Sequence, residues 1–127
     1  MTPYGLVDSL LGYMPETATV FQWHSDGFEL PPGATRLASS PHYSTQAFRV
    51  GKTIYGLQFH LEVTPQMIER WIDARSKDLA LAPYVLPDKI LADTQRYGPA
   101  LRYYAERFLS EFLQRACLVR QREHGKT

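Results

Sequence analysis

Residues 54–64 read Ile-Tyr-Gly-Leu-Gln-Phe-His-Leu-Glu-Val-Thr, and this stretch decides the fold because it joins an apolar strand to the start of a helix. Successive side chains of a strand point to opposite faces, so His60 and Glu62, two residues apart, are expected to share one face. A histidine beside a carboxylate that can orient it makes up two of the three members of a nucleophilic triad. The sequence therefore predicts a general base and its orienting acid at the end of this strand.

Two helices are predicted after this stretch. Thr64 can cap the first, and Pro65 fits its first turn, where a missing N–H costs nothing. Its apolar stripe consists of Ile68, Trp71, Ile72 and Leu79. The second helix is predicted from about Pro99 to Val119, and helical spacing gives its buried side as Leu101, Ala105, Phe108, Leu109, Phe112, Ala116 and Val119. The basic residues 120–127 are expected to form a disordered tail.

Shorter elements are predicted before the stretch. Apolar residues at helical spacing between Val7 and Met14, with Asp8 as a cap, favour a short helix. Residues 19–23 are β-branched and aromatic and predict a strand, and residues 36–39 predict another. Residues 45–50 and 53–59 are expected to pair as a hairpin across Gly51-Lys52. Strands followed by amphipathic helices predict an α/β fold, and these few strands are expected to be too short to cover both helices.

Composition narrows the class of protein. The 127 residues, 44% hydrophobic and 21% charged, are typical of one soluble globular domain. A net charge of +1 gives no indication of a nucleic-acid ligand. No apolar run is long enough to cross a bilayer, and no signal-peptide pattern follows Met1. The single cysteine, Cys117, excludes an internal disulfide framework and a multi-cysteine metal site. We therefore expect a cytoplasmic protein that binds neither nucleic acid nor membrane.

Several linked motifs occupy residues 20–26 (VFQWHSD), 28–34 (FELPPGA), 37–40 (LASS), 46–49 (QAFR) and 56–64 (GLQFHLEVT). Together they resemble the class I glutamine amidotransferases, with the greatest likeness to the stand-alone, GMP-synthase-like branch, and the likeness runs in order from about Leu10 to Leu113. The resemblance implies a flavodoxin-like layered α/β fold in an incomplete form. Residues 1–119 would be the C-terminal portion of such a domain, and part of the sheet would be absent.

The resemblance also implies an activity and its residues. The family hydrolyses glutamine to glutamate and ammonia through a Cys-His-Glu triad, without a cofactor, and passes the ammonia to an acceptor. His60 would be the general base and acid and Glu62 its orienting partner. His24 and Ser25 would lie in the loop that contacts glutamine, although the loop residues also suit a simple turn. Leu61 stands where the family usually has proline, which leaves Glu62 less rigidly presented.

The same resemblance leaves the nucleophile unassigned. The family's Gly-x-Cys-x-Gly elbow has no match in the 127 residues, and Cys117 lies deep in the predicted last helix without adjacent glycines. Cys117 is therefore expected to be an ordinary helix-surface thiol. Glutamine is the implied small-molecule substrate. The implied protein partners are the N-terminal half of the domain, an acceptor or synthetase domain, or a second copy of the chain through self-association.

Two other interpretations stay open at this point. His24, Asp26 and His60, with Glu62 as an added oxygen ligand, match the ligand set of a mononuclear metal enzyme on a β scaffold. Alternatively, a chain with base and acid but no nucleophile fits a truncated product, one subunit of a split enzyme, or a non-catalytic pseudo-enzyme.

Overall fold

The structure is a computed structural model that describes the backbone of residues 1–124 and the side chains of residues 1–116. Within that range the chain is an α/β fold with a small antiparallel sheet, and its long helices follow the strands as predicted. The elements in chain order are α1 (Pro3–Leu6), β1 (Ala34–Ala38), β2 (Ala47–Val50), β3 (Ile54–Leu57), α2 (Pro65–Ala74), α3 (Ser76–Ala80) and α4 (Pro87–His124).

The sheet is built around the predicted hairpin. Its strands lie in the order β1-β2-β3 and both pairings are antiparallel. Strand β2 turns into β3 between Val50 and Ile54, which pair directly. Gly51 adopts a φ of 58° in the turn, a left-handed conformation that favours glycine. The hairpin prediction is confirmed, with a loop one residue longer than the expected two.

Two of the strand predictions are wrong. Residues 19–23 do not form a strand, because within the described chain Phe21 alone among them pairs with another segment, through an isolated antiparallel bridge to His60. Strand β3 ends at Leu57 and the chain bends before His60. His60 and Glu62 therefore lie beyond the strand rather than at its last positions.

The helix predicted between Val7 and Met14 is not present. This part of the chain forms turns, and the short helix α1 lies before it, at Pro3–Leu6. Asp8 therefore caps no helix, but its Oδ1 accepts hydrogen bonds from the backbone N–H of Leu10 (2.9 Å) and of Leu11 (3.1 Å). A buried carboxylate thus holds this turn instead of starting a helix.

Helix α2 begins where the sequence predicts. Thr64 caps it by accepting a hydrogen bond from the backbone N–H of Met67 (3.2 Å), and Pro65 occupies its first turn. Ile68 and Ile72 are its buried residues. The helix ends at Ala74, so Leu79 belongs to the separate helix α3.

Helix α4 begins earlier than predicted, at Pro87, and Pro99 lies inside it. Proline clashes with the Cβ of the residue before it in a helix, and Gly98 has no Cβ, which removes part of that clash. The helix continues to His124, so it overlaps the expected tail 120–127. The side chains of Cys117 and Val119 and the remainder of that tail lie outside the described residues.

The core lies between the sheet, the bend after β3 and α4. Its buried members are Leu11, Met14, Leu37, Ala38, Ala47, Phe59, Leu61 and Leu101. The predicted buried side of α4 is only partly buried, because Leu109 is 57% exposed and Ala116 is also exposed. Across the described helices, none combines the length and apolar character needed to span a bilayer.

Candidate active site

The side chains of His60 and Glu62 meet directly. His60 Nδ1 and Glu62 Oε1 are 2.6 Å apart, which is a strong hydrogen bond. The backbone N–H of His60 donates to the carbonyl of Phe21 (2.9 Å), and this bond fixes the histidine next to residues 19–23. Both side chains are reachable from solvent, with 29% of His60 and 63% of Glu62 exposed. The prediction that they share a face is therefore confirmed, although they lie beyond the strand.

The electrostatics of the pair favour an ionised carboxylate. Partial burial acts to raise the pKa of Glu62, but the hydrogen bond from the His60 ring and those from the backbone outweigh it and lower that pKa. An ionised Glu62 can only accept, so Nδ1 donates this hydrogen bond, and in the neutral tautomer that results Nε2 can accept a proton. Leu61, between them, is 7% exposed and packs in the core, which fixes the backbone of the pair.

Aromatic rings surround one side of His60. The Trp71 ring of α2 meets the imidazole edge-on at a centroid distance of 5.2 Å, and the Phe21 ring lies 6.0 Å away. Trp23 stacks on Phe21 at 5.8 Å and also contacts Trp71 at 5.9 Å. These contacts limit the orientations that the imidazole can adopt.

Hydrogen bonds to its backbone carbonyl groups hold the predicted substrate loop, residues 24–27, in place. His24 Nδ1 lies 3.0 Å from the carbonyl oxygen of Asp26, within its own loop. The hydroxyl of Tyr43 donates to the carbonyl of Ser25 (3.1 Å), and the side-chain amide of Gln58 donates to the carbonyl of Asp26 (2.8 Å). The side chains of Ser25 and Asp26 are exposed. The chain bends at Ser25 but forms no hydrogen-bonded turn at residues 24–27, and contact of His24 and Ser25 with glutamine stays a prediction.

Sequence reasoning missed Tyr43 and Gln58, which hold this loop. Gln58 stands two residues before His60, so its position beside the base was a usable indication. No local pattern indicates Tyr43. For Asp8 the sequence indicated a cap, but not its burial or its hydrogen bonds from Arg49 Nε (2.9 Å) and the Tyr55 hydroxyl (3.2 Å).

The metal interpretation finds no support in the arrangement of the described side chains. Among them, no three histidine, cysteine, aspartate or glutamate residues come close enough together to hold a metal ion. His24 is already engaged on both ring nitrogens, with the Asp26 carbonyl and with Gln22 Oε1 (2.7 Å). His24, Asp26 and His60 therefore do not form the ligand set that their sequence pattern suggests.

The His60–Glu62 pair follows Gln58, whose side chain binds the loop at residues 24–27, and known proteins share part of this sequence. The chain is 34% identical over 80 residues to the glutamine amidotransferase-like protein YfeJ of Salmonella typhimurium, a match that covers 63% of this chain and 34% of that protein. No protein-family model matches the chain.

A solved structure is similar as well. The crystal structure of a glutamine amidotransferase from Thermotoga maritima superposes with a TM-score of 0.66 at 38% sequence identity, and the match covers 73% of this chain and 40% of that one. The chain therefore spans well under half the length of these two proteins. Together the two similarities show a relationship to class I glutamine amidotransferase-like proteins, as the motifs predict.

Proposed function

We propose that this chain supplies the histidine and the glutamate of a Cys-His-Glu glutaminase site. The observation that carries the proposal is the 2.6 Å hydrogen bond between His60 Nδ1 and Glu62 Oε1, at the edge of an ordered loop. Surface ion pairs of this kind are common and add little stability. Its position supports a catalytic role, because the loop at residues 24–27 is hydrogen-bonded to Gln58, two residues before the base.

The chemistry follows from the tautomer that Glu62 imposes. His60 Nε2 takes the proton of a cysteine thiol, and the thiolate attacks the side-chain amide carbon of glutamine. The tetrahedral intermediate expels ammonia, which leaves with the proton from His60, and a thioester remains. Water then attacks the thioester while His60 takes its proton and returns it to the cysteine sulfur. Glutamate is released and the thiol is restored, so the cycle requires no cofactor.

The nucleophile in this proposal comes from outside these 127 residues. Cys117 lies in the last part of α4, far from the helix N-terminus whose free N–H groups stabilise a thiolate. We assign the nucleophile to a separate segment that completes a flavodoxin-like domain. The ammonia acceptor would belong to a further domain or chain.

A groove on the described surface offers room for such a segment. It has a volume of about 1050 Å³. Its walls are α4 on one side and residues 19–22 and 61–66 on the other. Glu62 is one of its lining residues. A segment seated there would contact Glu62 directly.

The test is a complementation assay for ammonia release from glutamine. The chain alone should show none above the blank. Fusion to the part of the Thermotoga maritima relative that lies outside the match should give activity. In that fusion, His60→Ala should lower kcat by on the order of 10⁴-fold or more, and Glu62→Gln by less, since it changes only the group that orients the ring.

Two control variants make the assay specific. His42→Ala removes an exposed histidine and should leave kcat unchanged, as should Cys117→Ser. Full activity in the His60→Ala fusion would refute the assignment of the base. Activity of the lone chain that disappears in Cys117→Ser would show instead that Cys117 is the nucleophile.

A further inference from the structure

We propose that Trp71 is a positioning residue for the base, and that it holds the imidazole of His60 in one orientation. The inference rests on the proposed glutaminase function and adds to it a side chain outside the His60–Glu62 pair. Trp71 lies on α2, beyond the bend that carries the pair. Two aromatic rings contact the imidazole, and that of Trp71 is the nearer, with the two centroids 5.2 Å apart.

The hydrogen bond to Glu62 does not by itself fix the imidazole. The carboxylate ends a flexible side chain that is 63% exposed, so it can follow Nδ1 as the ring turns. The last torsion of a histidine side chain has broad minima, and so has that of a glutamate. The pair can therefore keep its hydrogen bond over a range of ring orientations. A further contact with the ring is required to hold Nε2 in one place.

Trp71 and Phe21 supply such contacts, and they also contact each other. The Trp71 ring meets the imidazole nearly at a right angle, with 78° between the planes, and the Phe21 ring lies 6.0 Å away at 58°. The rings of Trp71 and Phe21 are 5.9 Å apart, so the three centroids form a closed triangle. Aromatic pairs attract each other in tilted and perpendicular arrangements at these distances. Rotation of the imidazole would therefore disturb two contacts at once.

The backbone that carries each of these rings is itself held in place. Helix α2 is capped by Thr64, two of its isoleucines are buried, and it packs against α4. The segment that carries Phe21 is bound directly to the base, since the carbonyl of Phe21 accepts a hydrogen bond from the backbone N–H of His60 (2.9 Å). Rings anchored in this way can restrain the imidazole, whereas an exposed carboxylate cannot.

Trp23 offers a matched comparison within the same aromatic cluster. It stacks on Phe21 at 5.8 Å and meets Trp71 at 5.9 Å. Among the ring contacts of the described side chains, those of the imidazole are with Phe21 and Trp71, not with Trp23. A role in positioning the base therefore predicts different effects on His60 when each tryptophan is replaced. A role in packing alone predicts similar effects.

This role predicts a change in the chemical step rather than in substrate affinity. In the active fusion, Trp71→Leu should lower kcat by about 3–10-fold, the effect of one lost aromatic pair, and keep the KM for glutamine within about twofold. Trp71→Phe retains a ring and should recover at least about half of the parent kcat. Trp23→Leu is the matched control and should keep kcat within about twofold of the parent. Phe21→Leu removes the other ring that contacts the imidazole and should also lower kcat, so it decides the question if Trp71→Leu does not fold.

A spectroscopic measurement on the 127-residue chain tests the positioning independently of activity. Nuclear magnetic relaxation of the imidazole C–H groups gives an order parameter for the His60 ring. In the parent this order parameter should be near that of rigid backbone, about 0.85, and in Trp71→Leu it should fall below about 0.6. Trp71→Phe and Trp23→Leu should keep the parent value.

Three results would overturn the positioning role while the glutaminase function stands. They are an unchanged order parameter in Trp71→Leu, an equal fall in Trp23→Leu, and an effect of Trp71→Leu that is confined to KM. A parent fusion without His60-dependent glutaminase activity would instead overturn the function. The order parameter of the lone chain would then still show whether Trp71 holds the ring.

Discussion

Removal of the Asp8 carboxylate should be the most destabilising single polar substitution among the contacts described. Asp8 is buried, with only 1% of its side chain exposed, and one carboxylate satisfies several donors at once. Asp8 Oδ1 accepts from the backbone N–H of Leu10 and Leu11, and Oδ2 accepts from Arg49 Nε. The Tyr55 hydroxyl lies 3.2 Å from both oxygens. The group therefore links the N-terminal turn to β2 and β3.

The expected size of the effect follows from these contacts. Asp8→Ala leaves two backbone N–H groups without their acceptor, at Leu10 and Leu11, and a lost cap of this type costs roughly 1–2 kcal/mol. It also leaves Arg49 and Tyr55 without a partner, and breaking a buried ion pair on one side costs about 3–5 kcal/mol. Arg49 is 28% exposed and can bind water instead, which reduces the cost of breaking the ion pair. The expected loss in the free energy of unfolding is therefore about 3–4 kcal/mol.

Equilibrium urea unfolding measures this directly. A loss of about 3–4 kcal/mol is a large part of the roughly 5–15 kcal/mol that stabilises a typical domain. Asp8→Asn keeps an oxygen for the two N–H groups and should cost less than Asp8→Ala. Asp78→Ala is the matched control, since Asp78 pairs with Arg75 while 63% exposed and should cost no more than about 1 kcal/mol. Equal losses in Asp8→Ala and Asp78→Ala would refute the reasoning.

Three further outcomes are expected. The pKa of Glu62 is lower in the folded than in the unfolded chain. Its contribution to stability is therefore present above pH 4.5 and lost as the pH falls through the folded value. Glu62→Gln should remove this loss of stability at low pH, as measured by unfolding at a series of pH values. Burial, reinforced by the nearby Glu111, raises the pKa of Tyr13 to about 12. Its contribution is therefore present below pH 10.0 and lost as the pH rises through about 12, and Tyr13→Phe should flatten this alkaline loss. The exposed apolar face of α4 around Leu109 should cause the chain to self-associate, which sedimentation at high concentration measures. A monomer that unfolds cooperatively well above ~65 °C would contradict this prediction.

Elements whose determinants are adjacent in sequence could be predicted. The start of α2 is fixed by Thr64 and Pro65, and the hairpin by two apolar runs around Gly51. The strand at residues 19–23 could not be judged from propensity, because a strand requires a partner and only Phe21 has a ladder pair in the described chain. The start of α4 was missed because proline usually ends a helix, whereas Gly98 makes Pro99 tolerable inside one.

The same distinction applies to the site. The spacing of His60 and Glu62 brings the two side chains together through local geometry, and a two-residue spacing is visible in the sequence. The hydrogen bonds from Tyr43 and Gln58 to the loop depend on how distant segments pack, and no spacing rule expresses that. The groove beside α4 depends in the same way on how distant segments pack, and the sequence did not indicate it.

The hydrogen bond between Gln58 and the loop also has a consequence for the order of folding. The β2–β3 hairpin and the His60–Glu62 pair close over a few residues, whereas the bond from Gln58 to Asp26 closes a loop of 32 residues. Long loops cost more entropy to close and slow the steps that depend on them. We therefore expect the contact between the base and its acid to form early, and the loop at residues 24–27 to dock onto Gln58 in a later, slower kinetic phase.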